Sequence, residues 1–239
     1  MTATADLGTA EIHHQHRDVT GGWLRPATFG VVDGLVSNFA LVAGVVGGGA
    51  GTHTVLLTGL AGLTAGACSM ATGEFVSVSS QNELAQAEIA REQHELATNP
   101  AGELRELTLA YQAKGVRQEL AEEVARALTA EPDVAWRVHV REELGVDPDD
   151  LPSPWSAAGS SFAAFALGAL VPLLPFVLGA SGLVPALLAS SAGLVVTGAL
   201  TAKLTARSGW FGASRQLVLG GLSAAVTFGV GLLVGTGVS

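Results

Sequence analysis

The sequence predicts an all-α, polytopic membrane protein with five transmembrane helices and a separate helical domain inserted between helices two and three. Three observations carry that prediction. Of 239 residues, 49% are hydrophobic and only 14% charged, at a mean hydropathy of +0.44, a balance foreign to soluble domains. Five apolar stretches approach the roughly 20 residues that cross a hydrocarbon core at about 1.5 Å per residue. Charge, finally, is segregated: residues 81–150 hold sixteen of the 21 acidic residues against seven of the twelve basic ones, so the net charge of −9 resides wholly in that stretch.

Residues 1–27 form a polar tail, with Trp23 and Arg25 placed where interfacial anchors sit. The tail lacks the basic and apolar regions of a cleaved signal peptide. Its HHQH cluster (His13, His14, His16) has the composition of a metal-capture segment, although an incidental cluster in a polar tail is the commoner meaning. Residues 28–80 contain the first two spans, about Phe29 to Val46 and Val55 to Val78, joined by an uncharged glycine-rich loop. Span one carries a single charge, Asp33, and span two carries Glu74 near its end.

Residues 81–150 read as a helical bundle. Gln81 to Ala97 continues span two without a breaker, so one long helix leaves the membrane. Asn99-Pro100 then interrupts it, because the residue before proline is pushed out of the α region. Further helices are predicted at Gly102 to Ala113, Gln118 to Ala130 and Pro132 to Leu144, with Leu104, Leu107, Leu120, Val124 and Leu128 recurring at helical spacing. The run DPDDLPSPW ends the bundle as a linker. Residues 151–239 contain spans three to five, about Ala157 to Leu178, Leu183 to Ala202 and Leu217 to Thr236. Pro172 and Pro175 free backbone carbonyls in span three that neighbouring groups must satisfy.

Five spans put the termini on opposite sides. The basic residues of the tail and the insert, with Lys203, Arg207 and Arg215, all fall on one side, which makes the N-terminus and the insert cytoplasmic. The 31 glycines suit close helix packing, and five spans alone enclose little of a polar path, which points to a homodimer in the bilayer.

Several function classes drop out. An acidic chain repels nucleic acid and attracts cations. The single Cys68 can form no internal disulfide. No serine is matched with a histidine at comparable depth in the membrane, and no glycine-rich phosphate loop follows a strand, so neither an enzyme nor an ATP-driven pump is expected.

Two constellations remain. Glu92 and Glu95 stand at i,i+3, Glu103 and Glu106 repeat that spacing past the Asn99-Pro100 break, and Glu142-Glu143 close the insert. Carboxylates gathered by a turn repel one another unless a divalent cation sits among them, and oxygen ligands suit Fe²⁺ and Mn²⁺; His139 can add a nitrogen. Taken singly, such glutamates are ordinary solvated surface. Within the membrane, Asp33 and Glu74 lie at similar depth, Ser37 and Asn38 accompany Asp33, and Met70 and Ser77 accompany Glu74. An intramembrane carboxylate is functional by default, and a carboxylate with a thioether suits a borderline metal exchanged against a proton. Snorkelling to the headgroups is the plain alternative for Glu74.

With these residues in view, the chain resembles the vacuolar iron transporter family. The resemblance is carried by DGLVSNFALVAGVVGG in span one, AGACSMATGEFVSVSSQNE across the end of span two, and the glutamate-rich insert ending in REELG, and it covers the chain after about residue 25. It implies a five-helix homodimer that moves Fe²⁺ out of the cytosol in exchange for protons, with Mn²⁺ as a second substrate and no prosthetic group. It also implies a cytoplasmic metal-binding domain whose ligands fall on Glu92, Glu95, Glu103, Glu106 and Glu143, with Asp33 and Met70 as the membrane carboxylate and thioether. The chain departs from similar eukaryotic proteins in having His139 and Val140 in place of a methionine pair, and Pro26 and Gly62 in place of further acidic residues. A membrane-tethered metal buffer or sensor without transport is the rival expectation. Arginine outnumbers lysine ten to two, which favours a bacterial plasma membrane over a vacuole.

Overall fold

A computed structural model of the chain describes residues 22–205 and 207–237, so the histidine cluster at His13, His14 and His16 lies outside the described residues. The described residues are helical throughout, with no strand among them: α1 (Leu24–Gly47), α2 (Thr52–Thr98), α3 (Pro100–Ala113), α4 (Gln118–Thr129), α5 (Pro132–His139), α6 (Pro154–Leu170), α7 (Leu174–Val177), α8 (Leu183–Leu204) and α9 (Gly209–Gly237). Five helical segments are long and apolar enough to span a membrane: α1, α2, α6 continued through α7, α8 and α9.

The element boundaries follow from local chemistry. Helix α1 begins five residues before the expected Phe29 because Pro26 sits in its first turn, where a missing N–H costs nothing. Helix α2 runs unbroken for 47 residues, as the lack of a breaker predicts. Asn99 then stops it with φ −137° and ψ 54°, and its Oδ1 accepts from Gly102 N at 3.2 Å, which caps α3. The predicted helix Pro132 to Leu144 changes form at Val140: α5 ends at His139, and Val140–Leu144 forms a wider π turn that closes on left-handed Gly145 at φ 66°. Ser153 Oγ caps α6 by accepting from Ser156 N at 3.3 Å. The span-three prolines act where expected, since Val171–Leu173 tightens into a 3-10 turn between α6 and α7.

Helix α1 is the centre of the membrane part, packed against α6, α9, α2 and α8. Its contact with α6 is close enough to require glycine on both sides. A Cβ at Gly34 would run into the Phe165 carbonyl, and one at Gly168 into the Val31 carbonyl. Small residues at such crossings let backbones approach where no hydrophobic driving force separates protein from lipid. Leu35, Phe39 and Val42 of α1 are almost fully buried there. Asn38, also buried, donates from Nδ2 to the carbonyl of Ala169 at 2.6 Å, in the last turn of α6, where helix carbonyls lose their own partners. In the insert, α3 packs on α4, α4 on α5, and α5 back on α2, bringing the π turn beside α3.

Candidate metal centre

The insert closes around four side chains. Glu92 comes from α2 beyond its apolar part, Glu103 from the first turn of α3, His139 from the end of α5, and Glu143 from the π turn. Each offers one ligand atom, and these atoms lie within 4.8 Å of one another. His139 Nδ1 is at the middle, 3.1 Å from Glu92 Oε1, 3.4 Å from Glu143 Oε1 and 3.5 Å from Glu103 Oε2. Glu92 is 6% exposed, Glu103 2% and His139 0%. None of Glu92 Oε1, Glu103 Oε2, His139 Nδ1 and His139 Nε2 has a hydrogen-bond partner. Buried polar atoms are nearly always paired, so the three orphans that converge here, Glu92 Oε1, Glu103 Oε2 and His139 Nδ1, form a site suited to completion by a ligand.

Electrostatics agree with that reading. Burial, reinforced by the charges of Glu143 and Glu103, pushes the Glu92 carboxyl up to about 8. Burial likewise raises Glu103, where the nearby Glu106 and Glu143 add to the effect, and Glu143, where Glu106 and Glu95 do. His139 is shifted the other way: burial lowers it, against the pull of Glu103 and Glu106. Burial thus favours the protonated form of Glu92, pushes Glu103 and Glu143 in the same direction, and favours a neutral imidazole, the form that can donate a lone pair.

The remaining sequence-predicted glutamates separate into two groups. Glu95 and Glu106 stand at the rim. Glu95 is only partly buried and is bound at 3.0 Å by Arg91, and Glu106 is exposed, yet both act electrostatically on the centre. Glu142 is turned away, forming an ion pair with Lys114 and accepting from Tyr111 Oη at 3.4 Å.

In the apolar part, Asp33 and Met70 share one cleft of about 280 Å³, which they line with Ser37, Asn38, Ser69 and Phe165. Glu74 is not among the residues that line it, although it lies one helical turn from Met70 on α2. Gly62, one of the departures from the acidic pattern, is on the cleft wall, where a side chain would press on Leu41 and approach Asn38 Oδ1. Asn38 Oδ1 is buried and unpartnered. Sequence reasoning gave Asn38 only a place beside Asp33 and did not find Phe165; an amide inside an apolar span was the available signal for Asn38, and nothing in the sequence singled out the phenylalanine. A larger cleft of about 700 Å³ between α1 and α9 is lined by small and apolar residues, with Thr227 its only polar side chain.

The chain matches the model of the VIT family over residues 24–232. It is 39% identical over 222 residues to a vacuolar iron transporter of Acanthamoeba castellanii, covering 90% of this chain and 79% of that protein. It is 29% identical over 221 residues to vacuolar iron transporter 2 of Oryza sativa, covering 91% and 90%, and 35% identical over 217 residues to vacuolar iron transporter homolog 1 of Arabidopsis thaliana, covering 90% and 84%. A family match across nearly the whole described chain, on five apolar helices with the glutamate-rich insert in place, leaves one conclusion: this chain belongs to the VIT family of membrane transporters.

Proposed function

We propose that the protein carries Fe²⁺, with Mn²⁺ as a second cargo, out of the cytosol across the membrane in exchange for protons. The observation that carries this reading is the cluster of buried Glu92, Glu103 and His139 with the exposed Glu143, of which Glu92 lies on the same unbroken helix as Met70, a residue that lines one cleft with Asp33. The insert, on the cytoplasmic side by its share of basic residues, captures the ion, with Glu95 and Glu106 supplying attractive charge at the rim. Binding displaces protons held on the raised carboxyls. The ion then passes to the cleft, where the Asp33 carboxylate and Met70 thioether receive it; the 22 residues from Met70 to Glu92 separate the two stations by roughly 33 Å at 1.5 Å rise. Glu74 lies between them along α2 and serves the approach.

A homodimer completes the path. Between exposed Leu60 and Val76, α2 presents a small and polar stretch of Thr64, Ala65, Cys68, Ser69, Thr72 and Gly73, whereas α9 exposes Val218, Leu219, Leu222 and Leu233. The second face suits lipid and the first suits another helix. A bacterial plasma membrane is the setting this reading takes.

Purified protein in liposomes tests it. Fe²⁺ and Mn²⁺ flux should appear and accelerate under an opposing proton gradient, and Asp33→Asn should abolish it while leaving metal binding by the insert intact. Binding without flux under every gradient would replace transport by the buffer or sensor reading, and unchanged flux in Asp33→Asn would remove Asp33 from the path.

A further inference from the structure

The buried centre is not an all-oxygen site. We infer that His139 sets the metal preference of the insert, placing one imidazole nitrogen among three carboxylate oxygens so that the centre favours the later, nitrogen-seeking divalent ions, Co²⁺ and Zn²⁺, over Mn²⁺. The inference rests on the reading of the insert as a metal centre and adds which ions that centre ranks highest.

Geometry carries it. His139 has no exposed surface, its Nδ1 lies between 3.1 and 3.5 Å from an oxygen of each of the three glutamates, and no hydrogen bond satisfies that nitrogen. A neutral ring with its proton on Nδ1 could donate to only one of the three oxygens, and none is placed to accept. With the proton on Nε2 instead, the Nδ1 lone pair points at the carboxylates, an arrangement that a cation between them would turn from repulsive to attractive. Three carboxylates alone form a hard site with little power to rank Mn²⁺ against its neighbours. One imidazole changes this, because affinity for nitrogen climbs from Mn²⁺ through Fe²⁺ and Co²⁺ more steeply than affinity for oxygen does.

The experiment uses the full chain with His13, His14 and His16 replaced by asparagine, which removes the other histidine cluster. Competition titrations with Mn²⁺ and Co²⁺ should show Co²⁺ preferred, and His139→Gln should shrink that preference on the order of tenfold while retaining one bound ion. Pulsed electron paramagnetic resonance of bound Mn²⁺ gives a readout that needs no change at position 139. A directly coupled nitrogen should appear, and its frequencies should move when histidine is supplied as the ¹⁵N form. Mn²⁺ bound in a manner sensitive to Glu92→Gln but showing no coupled nitrogen, or a Co²⁺ preference unaltered in folded His139→Gln, overturns the role of His139 and leaves the metal centre standing. If no stoichiometric ion binds, or if binding ignores both Glu92→Gln and Glu103→Gln, the metal centre fails and this inference fails with it.

Discussion

His139 Nδ1 stands 3.1 Å from Glu92 Oε1, so the last helix of the insert reaches the first at one buried polar point. Forty-seven residues separate the two in sequence, and the other groups that approach His139 Nδ1 there are two more carboxyls, Glu143 at 3.4 Å and Glu103 at 3.5 Å. A contact of that kind contributes little to an empty protein, because the desolvated carboxyl is left without a satisfied hydrogen bond. Under the proposed function a cation supplies the missing partner, and each of the following outcomes is set by that asymmetry or by the packing that supports it.

Glu142 and Glu143 are adjacent and chemically identical, but only Glu143 turns into the centre. Glu143→Ala should lower metal affinity on the order of 10- to 100-fold, the range in which metal sites respond to loss of a supporting group. Glu142→Ala removes a partly exposed ion pair with Lys114, should leave affinity within about twofold, and should cost about 0–1 kcal/mol of stability. Isothermal titration of both variants checks the contrast, and equal losses would mean that the π turn does not separate the two side chains as described.

Stability of the metal-free insert should fall as pH rises from 6.5 to 8. The folded protein holds Glu92 at about 8, above its ordinary 4.5, so over that interval the native state keeps a proton that the unfolded chain has released. Protons bound in excess by the native state make stability decline with pH, and Glu103 and Glu143 act in the same direction. His139 is shifted downward and works oppositely, but only below its ordinary 6.5, where falling pH protonates the unfolded chain first. Thermal melts of metal-free protein at the two pH values test the slope. At pH 7, adding Mn²⁺ should also release protons measurable by pH-stat, and a titration without proton release would contradict the raised carboxyls.

The tight α1–α6 crossing and the open face of α9 predict opposite results for two glycine substitutions. Gly168→Ala drives a methyl group into the Val31 carbonyl and should destabilise by about 1–3 kcal/mol, as overpacking does. Gly221→Ala meets nothing within 4 Å and should be neutral or slightly stabilising, since alanine is the better helix former. Melting of the two variants in detergent, compared with the parent, reads the difference directly.

The membrane spans and the long α2 were legible because both depend on composition and the absence of breakers, properties a linear sequence carries. The centre was half legible. Spacing of i,i+3 brought Glu92 with Glu95 and Glu103 with Glu106 to notice, but residues three apart on a helix are offset by about 60° around its axis. When two helices face a common point, only one member of each pair can point at it, and Glu92 and Glu103 took that place while Glu95 and Glu106 stayed at the rim. His139 was visible as a candidate nitrogen donor, whereas its position among the three carboxyls depends on how α5 packs against α2, a tertiary relationship without a local signature. The π turn was illegible for a similar reason: Val140–Leu144 reads as ordinary helix, and the widened backbone accompanies packing against α3. In the membrane, Glu74 shares depth with Asp33 but not its cleft, because depth follows from counting residues and facing does not.

Helix α2 has one more consequence. At 47 residues it is about 70 Å long, while the hydrocarbon it crosses is about 30 Å thick, so more than half of it projects beyond the bilayer. It is therefore a lever arm with its fulcrum among the helices at the Asp33 cleft. Glu92 lies 14 residues beyond Val78, or roughly 21 Å past the last buried turn of the apolar part. A rocking motion of about 5° at the fulcrum would carry Glu92, roughly 33 Å along the helix from Met70, nearly 3 Å, many times the ~0.2 Å within which metal–ligand distances must hold. Any tilt of α2 that α3 and α5 do not follow would draw the Glu92 carboxyl away from Glu103, His139 and Glu143, so the geometry of the cluster is tied to the tilt of the helix that lines the cleft.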